Sequence, residues 1–168
     1  MGYSIITFDE AGLRLVPVYR RVWYTKGERP EGVFFWSNKR INIFGALING
    51  RDFYYQFYES MNTLTYLIFL WNFINQLPEG NYVFLFDNAS YHKSSMIRKF
   101  LNRFNNIIVE FFPPYSPELN PTETCWKIIR HDVTNSRHFD TIDEMCSSVR
   151  EFLSNHSFTL TVSNYLCR

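Results

Sequence analysis

A chain of 168 residues that is 46% hydrophobic and 19% aromatic suits one globular domain and is too short for two ordinary ones. Folding should bury roughly 70% of the surface the unfolded chain exposes, which excludes disorder as the main state. Seventeen Lys and Arg against sixteen Asp and Glu leave a net charge of +1, which excludes a strongly basic nucleic-acid coat, so any nucleic-acid affinity must be local.

Ser4 to Asp9 is short and rich in β-formers, and it reads as a strand that ends on an acid. Leu13 to Pro30 carries Arg14, Arg20, Arg21, Lys26 and Arg29 around Trp23 and reads as irregular with short extended pieces. Arg40 to Ile48 and Asp52 to Tyr58 read as two strands, and Asn49-Gly50 between them favours a two-residue hairpin turn. From Asn62 to Leu77 the residues Leu64, Leu67, Ile68, Trp71 and Ile74 recur at spacings of three and four, the pattern of a core helix, which Pro78 and Gly80 end.

Tyr82 to Phe86 is a continuous hydrophobic run, as expected of a strand covered on both faces, and Asp87 follows it. Lys93 to Phe104 predicts a basic amphipathic helix, and Ile107 to Phe112 the last strand. Four prolines between Pro113 and Pro121 forbid a helix there. Asn120-Pro121 then starts one, with an N-cap side chain and proline in the first helical position. Thr141 opens a further helix to about Ser154, with Glu144 three residues on. A strand, a hairpin, and then alternating helices and strands predict a mixed sheet with helices on its faces.

Three cysteines, Cys125, Cys146 and Cys167, include no C-x-x-C pair and suggest neither a disulfide framework nor zinc. The longest hydrophobic run, Tyr66 to Trp71, is far too short to span a membrane. No signal peptide is readable before Asp9 and Glu10. A reduced, cytoplasmic location is expected. No nucleotide-loop, zinc-protease or nucleophile-elbow string occurs.

Alternation places Asp9 on the face of Ile5 and Thr7, and Asp87 on the face of Val83 and Leu85. On parallel neighbouring strands the two carboxylates can share one divalent ion or flank a pair about 3.5 to 4 Å apart, with Glu123 supplying a third carboxylate. Such a set of hard oxygens suits Mg²⁺ together with substrate phosphate, and needs neither His nor Cys. Each acid also has a plainer reading. Glu123 falls at the third position of its helix, where a capping-box Glu would sit. Asp87-Asn88 suits a turn, and Asp9-Glu10 suits a solvated strand exit.

Three segments carry a resemblance: Thr7 to Glu10 (TFDE), Leu85 to His92 (LFDNASYH) and Pro113 to Glu123 (PPYSPELNPTE). They resemble the three signature blocks of mariner-like insertion-sequence transposases, the third block most specifically. Thirty-five residues lie between Asp87 and Glu123, which also resembles the family's spacing. The resemblance runs from about Thr7 to Phe152.

It implies a ribonuclease-H-like fold, with three antiparallel strands and then two parallel ones, flanked by helices. It also implies Asp9, Asp87 and Glu123 as catalytic metal ligands, and assigns Asp9 rather than Glu10. Mg²⁺ is the expected ion, with Mn²⁺ as a substitute and two ions bound. The implied reaction is cleavage of duplex DNA at the element's terminal inverted repeats and transfer of the 3′ ends to a target.

Candidate DNA contacts are Arg20, Arg21, Lys26, Arg29, His92, Lys127 and Arg130, against the plainer reading of solvated charges and caps. Trp126 reads as packing that fixes the helix of Glu123. Family members carry an N-terminal helix-turn-helix reader, and only eight residues precede Asp9. The expectation is therefore a single catalytic domain over 1–168, as a fragment, one frame of a split gene with a separate reader partner, or a decayed copy. A homodimer is a further expected assembly. The rival readings are an inactive remnant that serves as a DNA-binding or assembly module, and a general ribonuclease-H-like nuclease.

Overall fold

The first strand, β1, runs from Tyr3 to Arg14 in the computed structural model, which describes residues 2–15, 26–27, 37–135 and 137–166. β1 is longer than its run of β-formers. Beyond Asp9 it stays paired with β2 (Arg40–Ile48), from Glu10 opposite Phe44 to Arg14 opposite Arg40. Asp9 therefore lies within a strand rather than at its exit. β3 (Asp52–Tyr58) continues the antiparallel meander, while β4 (Asn81–Phe86) and β5 (Ile107–Phe111) add in parallel on the other side of β1. The sheet order is β3-β2-β1-β4-β5, which is the mixed five-stranded, helix-flanked arrangement of a ribonuclease-H-like fold.

The hairpin turn departs from the two-residue form. Asn49 and Gly50 both take positive φ, 50° and 74°, as an Asn-Gly turn requires. Ile48 nevertheless pairs with Asp52, so three residues form the loop. The chain's tail holds this turn: Leu160 N–H donates to Gly50 O at 2.9 Å, and a Cβ at Gly50 would stand 1.9 Å from Leu160 O.

Helix α1 (Thr63–Ile74) begins at Asn62, whose side chain accepts from Leu64 and Thr65 N–H, with Thr65 closing a capping box. Its buried stripe is Tyr66, Phe69, Leu70 and Phe73, not the expected one, for Leu64, Ile68 and Trp71 are 60%, 44% and 50% exposed. The aromatic stripe wins because the sheet offers it Phe8, Phe44, Phe84 and Phe86. The Phe8 ring stands edge-on to Phe73 at 5.5 Å, and Phe44 lies 5.5 Å from Phe69. Helix α2 (Ser95–Leu101) starts at its Ser94 cap and completes this layer with Ile97, Phe100 and Leu101.

Helices α3 (Pro121–Ile129) and α4 (Ile142–Asn155) cover the opposite face. α3 runs on into one π turn over Arg130–Thr134. Thr141 caps α4 by accepting from Glu144 N–H, and the Glu144 carboxylate reaches back to Asp140 N–H. The proline segment is irregular except for a single 3₁₀ turn at Pro117–Leu119, which Pro117 can open because the first residue of a turn needs no N–H. Helix α5 (Ser163–Leu166) ends the described chain. Among the described residues no helix is long and apolar enough to cross a membrane.

Candidate metal centre

The sheet register brings two far-apart acids together. β1 and β4 pair in parallel up to Thr7 opposite Leu85. Asp9 and Asp87 each lie two residues further on, and alternation aims both toward the α3 side. Their carboxylate oxygens, with one from Glu10, lie within 4.8 Å of one another. Glu10 is the member that the resemblance did not assign. Its neighbour Asp9 shares a face with Ala11 and Leu13, whereas Glu10 shares one with Ile6 and Phe8. The acid pair itself is readable in the sequence; the role of its second member depends on what lies behind the sheet.

α3 is latched to the strand that carries Asp9. Asn120 Nδ2 donates to Phe8 O at 3.0 Å, and Thr122 Oγ1 donates to Thr7 O at 3.0 Å while meeting Thr7 Oγ1 at 2.7 Å. One turn on, the buried Trp126 indole N–H donates to Asp9 Oδ2 at 3.0 Å. Trp126 is thus core packing, as expected, and also the anchor of an acid, since a buried indole N–H needs an acceptor. Gly45, paired with Asp9 across β1 and β2, leaves room for it: a Cβ there would stand 2.7 Å from the Trp126 ring. Asn120 caps α3 through Thr122 N–H, and its own N–H donates to Pro117 O rather than to Glu123. Glu123 therefore closes no capping box, and its half-buried side chain lines the cleft that Asp9 and Asp87 also line. It stands outside the 4.8 Å group.

The acids differ electrostatically. Burial, reinforced by the charges of Glu10, Glu123 and Asp87, pushes Asp9 up to about 8. Burial also raises Glu10, against the pull of His92 and the Tyr91 hydroxyl. For Asp87 burial pushes upward, but His92, the Ala89 N–H and Lys93 outweigh it and hold its carboxyl below the usual range. Asp87 is thus the standing negative charge, and Asp9 the carboxyl that a cation would have to deprotonate. Donors that are all carboxylate oxygen and crowded together, two of them raised by burial and then by neighbouring carboxylates, fit a hard divalent cation. This acidic cluster can chelate a divalent metal.

The cleft has a volume of about 500 Å³, and its far wall is the segment from Phe112 to Pro117. Asn88 ties that wall to the Asp87 turn by donating to Phe112 O at 2.6 Å. Lys93 lines the cleft, donates to Asn88 Oδ1 and lies 5.3 Å over the Phe111 ring. It was expected only as the start of a basic helix.

Of the expected DNA contacts, Arg20, Arg21 and Arg29 lie outside the described residues. Lys26 and Lys127 are exposed and Arg130 is half-buried. His92 is 2% exposed, so the expectation of a phosphate contact is corrected: its ring packs on Tyr66, Phe86 and Tyr91 and faces the carboxylates instead. Cys125 is fully buried and burial raises its thiol, which leaves no accessible nucleophile there.

Comparison with known proteins agrees with this geometry. The family profile described as DDE superfamily endonuclease matches residues 4–146. The Uncharacterized protein y4pE/y4sA of Sinorhizobium fredii (strain NBRC 101917 / NGR234) is 33% identical over 63 residues, 38% of this chain and 44% of that protein. The Mos1 mariner paired end complex with Mn superposes with a TM-score of 0.78 at 20% identity, over 97% of this chain and 52% of that one. The catalytic domain of Mos1 mariner transposase superposes with a TM-score of 0.67 at 20% identity, over 90% and 70%. The chain spans about half the length of the full Mos1 chains and less than half of y4pE/y4sA. With a family profile that covers most of its length, a ribonuclease-H-like sheet and an acid cluster where two parallel strands end their pairing, this chain belongs to the DDE superfamily endonucleases.

Proposed function

We propose that this chain is the catalytic part of a mariner-like transposase that cuts duplex DNA at the terminal inverted repeats of its element and transfers the 3′ ends to a target. The observation that carries the reading is the meeting of Asp9 and Asp87 in a cleft that Glu123 also lines. Asp9, Asp87 and Glu123 would hold two Mg²⁺ ions, with Mn²⁺ as a substitute. Two such ions, when bound, activate the attacking water or hydroxyl and neutralise charge on the phosphate.

The chain's own residues supply placement. Trp126 fixes one oxygen of Asp9, and Asn120 and Thr122 fix the helix turn that carries Glu123. Lys93 sets a cation at the cleft, toward an incoming phosphate. Arg20, Arg21, Lys26, Arg29, Lys127 and Arg130 track the DNA backbone in this reading. The protein acts in the cytoplasm as a homodimer, because the reaction joins two ends. A helix-turn-helix region, joined or supplied by a separate chain, reads the repeats in this reading. The likeness to the Mos1 paired-end and strand-transfer complexes supports DNA binding and multimeric assembly.

The test is strand cleavage. The chain is fused to a helix-turn-helix region of a relative and given that relative's terminal repeats with Mn²⁺ or Mg²⁺. Nicking at the repeat ends is expected, with Asp87→Asn and Glu123→Gln each reducing it by at least about 100-fold. Cleavage of RNA–DNA hybrids without repeats would replace the reading with a general nuclease. Metal binding with no cleavage of any substrate would replace it with an inactive remnant.

A further inference from the structure

Behind Asp87, on the face of the sheet away from α3, four buried polar atoms converge without a well-aligned hydrogen bond among the described residues: Glu10 Oε2, Tyr66 Oη and both ring nitrogens of His92. Buried polar atoms are nearly always paired, so such a cluster calls for a role. His92 Nδ1 stands 2.6 Å from Asp87 Oδ1, and its Nε2 stands 3.8 Å from Glu10 Oε2. The first distance is direct contact; the second is electrostatic only. Asp87 Oδ1 also accepts from Ala89 N–H at 3.0 Å. One oxygen of Asp87 is thus held twice, and Oδ2 is left as the oxygen available to a cation. Glu10 is itself held, because the Tyr91 hydroxyl donates to its Oε1. Tyr66, Phe86 and Tyr91 pack the imidazole on its sides, with Tyr66 and Tyr91 each at 4.4 Å.

We propose that Tyr91, Glu10 and His92 form a positioning relay that fixes the orientation of Asp87 from behind, so that Glu10 serves the metal centre through His92 and not as a ligand. The inference rests on the reading of Asp87 as a metal ligand. A carboxylate that turns freely loses rotational freedom on coordination, and a partner that already holds one oxygen lowers that cost. Such outer partners typically change metal affinity about 10- to 100-fold. Strand alternation favours the same division: Asp9 looks toward Glu123 and Trp126, while Glu10 looks toward the aromatic layer.

The test is Mn²⁺ affinity of the whole chain, measured by calorimetry, with thermal melting as the control for folding. His92→Asn places an amide N–H near the position of Nδ1, while His92→Gln matches the imidazole better in bulk but carries its amide one carbon further out. Positioning predicts that the Asn variant binds Mn²⁺ within about threefold of the unaltered chain and the Gln variant about 10-fold more weakly or worse. Glu10→Gln should weaken binding alone by no more than about threefold, since the Asn variant forgoes the same contact, and add nothing in the His92→Gln background. Equal affinities for the two His92 variants, or tighter binding by Gln, would reduce His92 to packing and overturn the inference. So would a Glu10→Gln effect of full size in the His92→Gln background, which would make Glu10 an independent ligand. Asp87→Asn separates the two levels. If it leaves Mn²⁺ binding intact, the metal reading falls and the relay with it; if it abolishes binding while the His92 variants match the unaltered chain, only the relay falls.

Discussion

The cost of gathering acids falls first on Asp9, whose side chain is 8% exposed and whose carboxyl is pushed up to about 8, chiefly by burial and then by Glu10 and Glu123. In the unfolded chain it would ionise near its ordinary value of 3.8. Between those two values the unfolded state has given up the proton that the folded state keeps, so rising pH favours unfolding. The stabilising contribution is complete below about pH 4 and is lost as the pH passes 8. Glu10, also raised, acts in the same direction. Asp9→Asn keeps an oxygen to accept from Trp126 and has nothing to ionise. It should raise stability over the unaltered chain at pH 9 by on the order of a few kcal/mol, and change it little at pH 4. Urea unfolding at the two pH values checks this, and a gain of the same size at both would remove Asp9 as the titrating group.

Which side of an element is buried depends on partners that local sequence does not name. The hairpin strands were legible in full, because β-formers and an Asn-Gly turn are local signals. The continuation of β1 past Asp9 was not, since Glu10, Ala11 and Gly12 are poor strand formers that the pairing with β2 holds extended. In α1 nine of the twelve residues are apolar or aromatic, so spacing offers two stripes and cannot choose; the aromatic face of the sheet chooses. The same holds for Asp9 and Glu10, an acid pair whose division of labour is set by Trp126 on one side and by Tyr91 and His92 on the other.

Two consequences follow at this scale. Phe69→Ala should cost about 3 to 5 kcal/mol, while Leu64→Ser and Ile68→Ser should each stay within about 0.5 kcal/mol. Denaturant titration decides, and the reverse order would restore the other stripe. Thr122→Val keeps shape but strips the latch on Thr7, leaving buried oxygens there short of partners. It should cost about 1 to 3 kcal/mol and weaken Mn²⁺ binding as well, because the next residue is Glu123.

For the molecule as a whole, the sheet holds Asp9, Glu10 and Asp87 together although their repulsion and burial work against the fold, and a cation reverses the sign of that repulsion. Asp87, kept ionised by His92, Ala89 N–H and Lys93 against the upward push of burial, supplies the charge that attracts it; Asp9 supplies the proton that must leave. A ligand that binds only the folded state at about 100 times its Kd stabilises by about 2.7 kcal/mol. In a domain of this length each kcal/mol raises Tm by about 2 to 4 °C. Saturating Mn²⁺ should therefore raise Tm by about 5 to 10 °C, with a larger rise at pH 8 than at pH 6, because fewer Asp9 protons then compete with the metal. A chelator should abolish the shift, and Asp87→Asn should remove most of it. Scanning calorimetry with and without metal at both pH values is the measurement. A shift that survives in Asp87→Asn would place the cation away from the junction of β1 and β4, and with it the chemistry assigned to that cleft.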